Sequence, residues 1–224
     1  MTPEQDLSDF SGVCRLFPLP GVVLLPHAVL PLHIFEPRYR QLTEDALAGD
    51  RLVTIVQALP AADCKGAAEP PIEEVACVGR IRDCERLPDG RFRFLLLGCR
   101  RVRLVRELDD ATTLYRQAEG VLLDDEDEAG PNDPRREELI RLFRGLAEAG
   151  GGLDADLEAL LATDVPLGPL TDIVAHALSL PPATQQRFLA DCRAVRRADG
   201  LIHLLRTALP ASLLGDFPPP FSPN

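Results

Sequence analysis

Nine arginines, Arg80, Arg82, Arg86, Arg91, Arg93, Arg100, Arg101, Arg103 and Arg106, crowd into residues 80–106 beside only three carboxylates, Asp83, Glu85 and Asp89. A local charge of +6 permits two chemistries. Arginines on a sheet can contact phosphates or stack on bases, and Arg91, Arg93, Arg101 and Arg103 are the candidates for a nucleic-acid or nucleotide site. The same residues can instead be the water-facing side of antiparallel strands, where charge discourages edge-to-edge association. The second reading has support from the whole chain, which uses 23 arginines and one lysine, Lys65, and so employs arginine as its general cation. With 35 acidic groups against 24 basic ones the formal charge is −11, which excludes a protein that coats DNA or acidic membrane with its entire surface.

A second polar group is Glu36, Arg38 and Tyr39, set around Pro37 at the start of a helical pattern. It is either one wall of a peptide-binding groove or a structural brace, with Tyr39 as a core anchor and Glu36 with Arg38 at the helix end. His27 and His33 lie in an apolar, proline-rich stretch and read as hydrogen-bonded packing residues, although either one beside Cys14 would make a nucleophile and base. The six cysteines are dispersed with no CxxC pair and no histidine at zinc-ligand spacing, so they read as small buried hydrophobes and no metal is expected. No GxxxxGK[ST] loop and no GxGxxG fingerprint occurs, so neither ATP nor NAD has a binding motif and no cofactor is expected. No acid pair or Ser-His arrangement supplies a catalytic site.

The elements that must position these groups fall into two parts. Residues 1–118 hold 15 basic and 17 acidic groups, net −2, whereas residues 119–224 hold 9 and 18, net −9. The change falls at the acidic run Asp124 to Glu128, followed by Gly130-Pro131, which reads as a solvated linker. Before it, residues 52–59, 75–82 and 91–105 have strand composition, Pro88-Asp89-Gly90 is a turn, and a bulge is expected at Gly98. Pro37 to Gly49 forms the one helix of this part, and residues 60–71 an exposed loop. After the linker, apolar stripes predict helices over 134–149, 154–162 and 169–179, then one from Pro182 with Phe188, Leu189, Cys192 and Val195 inward, and a last one through Leu201 to Leu205. The expected divisions are a tail 1–12, a β-rich part 13–123, an acidic linker 124–133, a helical bundle 134–209 and a proline-rich tail 210–224.

Residues 16–35 lack charge, but Pro18, Pro20, Pro26 and Pro31 would each cost a helix about 3 kcal/mol, so the stretch is strands and turns rather than a membrane span. Loops here are expected to expose Leu19, Leu25 or Leu30 as an apolar patch. The first ten residues carry Glu4, Asp6 and Asp9 in place of a basic, apolar leader, and a cytoplasmic protein is expected.

Three segments, LFPLPGVVLLPHAVLPLHIFEPRYRQLTEDAL, VGRIRDCERLPDGRFRFLLLGCRRVRL and SLPPATQQRFLADCRAVRRADGLIHLLRTAL, together resemble the amino-terminal, substrate-binding domain of the Lon ATP-dependent proteases. Glu36, Arg38 and Tyr39 match the start of that family's helix, and Gly90, Gly98 and Arg101 its central hairpin. The resemblance covers residues 13–209 and implies an α+β fold in which a β-rich, PUA-like pseudobarrel precedes an α-helical bundle.

What it implies for function is narrower than the parent enzyme. ATPase and Ser-Lys protease parts each need a lysine, and Lys65 cannot serve both, so the expectation is a non-catalytic module without ATPase or peptidase activity. Its expected partners are unfolded or dedicated polypeptides, with a possible link to a proteolytic system, bound in the β-rich part and its groove against the bundle. Leu19, Leu25, Leu30, Glu36, Arg38 and Tyr39 are the candidate contacts, and nucleic-acid binding through Arg91, Arg93, Arg101 and Arg103 is the alternative.

Overall fold

The computed structural model describes residues 6–60, 70–109, 111–127, 132–149, 152–153 and 155–207. Expectations for the remaining residues, including Cys64, Lys65, Glu128, Gly130-Pro131 and the chain after residue 207, lie outside the described residues. The chain divides into two compact units, one ending at Leu123 and the other starting at Asp124.

The first unit contains β1 (Val13–Pro20), β2 (Val29–Ile34), α1 (Pro37–Ala48), β3 (Leu52–Ala58), β4 (Val75–Arg86), β5 (Phe92–Leu108) and β6 (Gln117–Leu123). Their order in the sheet is β2-β5-β4-β3-β1-β6, and a further β5–β6 pairing closes β5, β4, β3, β1 and β6 into a ring. Closure is possible because β5 is 17 residues long: Phe92–Leu97 pairs with β2, and Arg101–Leu108 pairs with β6 along the same edge. Among the described strands only β1 and β3 pair in parallel, joined through β2 and α1.

The prolines mark where strands lack a second neighbour. Pro18 and Pro20 lie past Arg15, where the β1–β6 register ends, and Pro31 lies on β2, an edge strand. A residue without an N–H loses no ladder bond in such places. The bulge expected at Gly98 falls beside it, with Cys99 as the extra residue between the Val78–Arg100 and Gly79–Gly98 pairs. Gly98 itself is required by close packing, since a Cβ there would strike the carbonyl oxygen of Leu25.

Both sides of this sheet contribute to the core. Leu16, Leu52, Val56, Ala76, Val78, Val102 and Ala118, drawn from all five ring strands, fill the ring, and Leu7 joins them. Leu7 and Phe10, in the stretch expected as a tail, thus pack on this cluster. On the opposite side Tyr39 of α1 stacks on Phe17 with ring centroids 4.0 Å apart.

The second unit holds α2 (Pro134–Ala149), α3 (Ala155–Leu161), α4 (Leu167–Ala177), α5 (Pro182–Ala190) and α6 (Ala194–Arg206), with α6 packed against α2 and α4. Two expectations fail here. The helix from Pro182 ends at Ala190, which leaves Cys192 in the α5–α6 junction and places Val195 on α6, both half-buried. Leu160, expected inward, is 39% exposed, while Leu157 and Leu161 take the buried side of α3.

Within the acidic run, Asp125 and Asp127 are tied into the second unit and do not hang as a solvated linker. Asp125 receives Nη1 and Nη2 of Arg197 at 2.8 and 3.0 Å, and Asp127 accepts the backbone N–H groups of Ala194 and Val195 at 2.6 and 3.3 Å. Asp127 thereby caps α6, whose own N-cap residue, Arg193, makes no side-chain cap bond. Arg197 is only 1% exposed, and burying its charge demands a partner. Composition shows the run's charge but not this demand, which arises some 70 residues later.

Candidate functional site

Strand β2 is the only strand of the first unit that is wholly outside the ring, and it offers one edge with no neighbour among the described residues. Gly98 donates its N–H to Ala28 at 2.8 Å, and alternation from that bond turns even-numbered backbone groups of β2 toward β5 and odd-numbered ones to the free edge. Pro31 falls on an odd position, as an edge requires.

The same alternation sorts the side chains. Leu30, Leu32 and Ile34 are buried, whereas Val29 and Phe35 are 42% and 45% exposed, with Pro31 and His33 half-buried between them. Across the ladder Val29 stands opposite Leu97, Pro31 opposite Leu95 and His33 opposite Arg93. Leu95 and Leu97 are half-buried, so the outer side carries a largely apolar row two strands wide. His33 lies 6.2 Å from the Phe35 ring, and its Nε2 is buried without a hydrogen-bond partner.

This corrects one expectation. Leu19, Leu25 and Leu30 are 2%, 0% and 9% exposed, so they form no surface patch. The charge-free run supplies core to both sides of a sheet, and its exposed large hydrophobic members are Val29 and Phe35, which hydropathy alone does not separate from the rest.

Glu36, Arg38 and Tyr39 are brought together at the end of this strand. Arg38 donates Nε to Glu36 Oε2 at 3.0 Å, and its guanidinium lies 4.5 Å over the Tyr39 ring. Tyr39 is buried against Phe17, while Glu36 and Arg38 stay partly in water. Glu36 ends the extended chain with ψ 135° and gives its carbonyl to the N–H groups of Tyr39 and Arg40. Tyr39 thus anchors, and the ion pair sits above it at the surface.

The arginines of residues 80–106 are not gathered into one cationic face. Arg91 pairs with Asp89 at 2.5 Å and holds that carboxyl below the usual carboxylate range through their hydrogen bond. Arg80 pairs with Asp9, Arg86 with Glu44, Arg103 with Glu74 and Arg106 with Glu119. Arg101 is buried, against the expectation of a water-facing side chain, and Arg93 lies opposite Glu85. Carboxylates brought in from elsewhere in the chain neutralise much of the +6.

Cys14 is not set up as a nucleophile. Burial pushes the Cys14 and Cys99 thiols up to about 11, so both are protonated near neutrality. His33 lies on β2 and Cys14 on β1, which are not neighbouring strands, and the side-chain partner of Cys14 is Thr54. Among the described residues no group of three or more His, Cys, Asp or Glu could hold a metal. No helix there is long and apolar enough to cross a membrane.

The chain is 26% identical to a Lon protease of Xanthomonas oryzae pv. oryzae over 175 residues, 78% of this chain and 20% of that protein. It is 24% identical to a Lon protease of Heliobacterium modesticaldum over 206 residues, 92% of this chain and 25% of that one. It therefore spans a quarter or less of these relatives. A solved Lon N-terminal domain protein from Xanthomonas campestris superposes with a TM-score of 0.63 at 23% identity, covering 86% of this chain and 98% of that one. The N-terminal domain of a Mycobacterium avium complex Lon protease gives 0.66 at 14% identity, covering 88% and 100%. These two share the α+β fold. Residues 13–207 match the substrate-binding domain of the ATP-dependent protease La (LON), and over that span the chain belongs to this family.

Proposed function

We propose that this chain recognises polypeptides, binding an extended segment along the free edge of β2. The observation that carries the reading is the coincidence of an unpaired strand edge with the apolar row of Val29, Pro31, Phe35, Leu95 and Leu97. A segment added as a strand takes affinity from the odd-numbered backbone groups and selectivity from alternate side chains laid over that row. Membership of a substrate-binding family supports the same reading. In this proposal Glu36 and Arg38 border the end of the segment, Tyr39 holds them in place, and Leu19, Leu25 and Leu30 act only as the packed floor.

The proposal includes a module that performs no reaction itself, needs no cofactor, works in the cytoplasm and serves a proteolytic system. Residues 13–123 form its recognition part and residues 134–209 its helical part. Ion pairing across residues 80–106 weighs against nucleic acid as the ligand.

The test is fluorescence anisotropy of a labelled, permanently unfolded polypeptide at low and high salt, with single-stranded RNA as the comparison. Saturable polypeptide binding that survives salt is expected. Binding of RNA alone, fading as salt rises, would replace the reading with one centred on Arg91, Arg93, Arg101 and Arg103.

A further inference from the structure

We infer that the mouth of the five-stranded ring is a receptor site for a short apolar–acidic peptide segment, occupied in cis by residues 6–10. Leu7 inserts into the ring's core at 6% exposure, and Phe10 packs against the same cluster, its N–H returning to the Leu7 carbonyl at 2.9 Å. Arg80 of β4 grips the segment from outside the core. Its Nη1 and Nη2 take the two carboxylate oxygens of Asp9 at 3.0 and 2.9 Å, and Nη2 also donates to the Asp6 carbonyl at 2.6 Å. An inserted apolar side chain, a forked Arg–carboxylate pair and a bound carbonyl are the contacts by which a protein holds a peptide ligand.

Other features set this segment apart from the fold around it. None of residues 6–10 joins the sheet, and Ser8, Asp9 and Ser11 are exposed. Gly12, which leads into β1, has φ +87° and open space where a Cβ would stand, so the segment is connected through a residue with wide backbone freedom.

The site's charge specifies its ligand. A cleft of about 580 Å³ beside the segment is lined by Arg51, Arg80 and Arg82 and by Asp6, Asp9 and Asp83. When the segment leaves, Asp6 and Asp9 leave with it, and the lining keeps Arg51, Arg80 and Arg82 beside Asp83, with Asp50 also acting on Arg80. The vacated mouth fits a peptide bearing leucine two positions ahead of an aspartate, the spacing of Leu7 and Asp9. Arg80 and Arg82 stand opposite Leu97 and Leu95, so this site borders the apolar row beside β2, but its occupant competes with a segment of the chain itself rather than adding a strand.

The test uses the full chain with Leu7→Ser and Asp9→Lys, which frees the mouth, and a fluorescein-labelled peptide DLSDFS as probe. Saturable binding to this variant is expected, at least about tenfold tighter than to the native chain. Asn in place of the peptide's second Asp, or Arg80→Gln in the protein, should weaken it by about tenfold. A Phe35→Ser change should leave it unaltered, which separates this result from polypeptide binding at β2. A folded variant that binds no peptide, or a native chain that binds it equally well, overturns the inference. Hydrogen exchange on the native chain tests it without relying on the variant's folding. Amides of residues 7–12 should exchange at least about a hundredfold faster than those of β1, and faster still with excess peptide, whereas protection equal to that of β1 overturns it.

Discussion

Asp125 and Arg197, 72 positions apart, meet in a two-point ion pair that closes the second unit on itself. Arg197 is buried among α-helical backbone and also donates Nε to Thr171 Oγ1 at 3.0 Å and Nη1 to the Asp191 carbonyl at 2.9 Å. Asp172 lies 3.6 Å from its Nε. Removing Asp125 therefore leaves a desolvated guanidinium with reduced compensation. Asp125→Ala should destabilise the helical unit by about 2–3 kcal/mol, below the range for a fully buried pair because Asp125 is partly solvated. Urea unfolding followed by exchange of α6 amides measures it. Arg197→Met should be at least as damaging, since it leaves the buried Asp172 carboxylate without the cation beside it.

Gly98 supplies a second, independent check on the first unit. A Cβ at this position meets the carbonyl oxygen of Leu25, a backbone atom that no rotamer change can move. Gly98→Ala should cost about 3 kcal/mol or abolish folding, with the midpoint of denaturant unfolding as the readout. Gly145→Ala in α2, where a Cβ meets nothing within 4 Å, should instead be neutral or stabilise by about 0.5–1 kcal/mol.

Tyr115 gives a pH-dependent test. Burial first, and then its hydrogen bond to Asp45 at 2.9 Å, push the phenol from 10.0 up to about 12. A group whose folded-state pKa is raised contributes its full stabilisation below the unfolded value and loses it as pH rises through the folded one. Stability should thus fall across pH 10.0 to about 12, more steeply in the native chain than in Tyr115→Phe. The difference in alkaline absorbance between the two proteins should show a phenol with a midpoint near 12.

The physics of individual residues explains what the sequence reveals of this fold. Pro18, Pro20 and Pro31 announce strands and turns because a helix cannot accept them, and Pro37 opens α1 where its missing N–H is tolerated, whereas Gly49 ends it at φ −118° and not as the left-handed stop its type suggests. The alternation from Phe92 to Leu96 is plain because one side of β5 is core there. Ring closure is not legible, since it depends on β5 changing partners from β2 to β6 along one edge. The site is hidden for a related reason. In a strand whose both sides are apolar, the choice between Leu30 and Val29 as the exposed residue rests on register, and a shift by one position reverses it. Leu7 and Asp125 were unreadable because each answers a need located elsewhere, an unfilled ring and a buried guanidinium.

Binding at the β2 edge should separate apolar from cationic recognition. Val29→Ser with Phe35→Ser removes two exposed side chains from the outer row without touching the packed floor of Leu30, Leu32 and Ile34, so stability should change by less than about 0.5 kcal/mol. Affinity for an unfolded polypeptide should nevertheless fall by about tenfold, the equivalent of roughly 1.4 kcal/mol of lost apolar contact. Arg93→Ala with Arg103→Ala, by contrast, should lower affinity by less than about threefold and leave its salt dependence nearly unchanged, because charge is a minor part of the contact. Titrations of all three proteins against one polypeptide decide the matter. A loss confined to the arginine variant would place the ligand on the hairpin, whereas a loss confined to the serine variant is what strand addition along β2 requires.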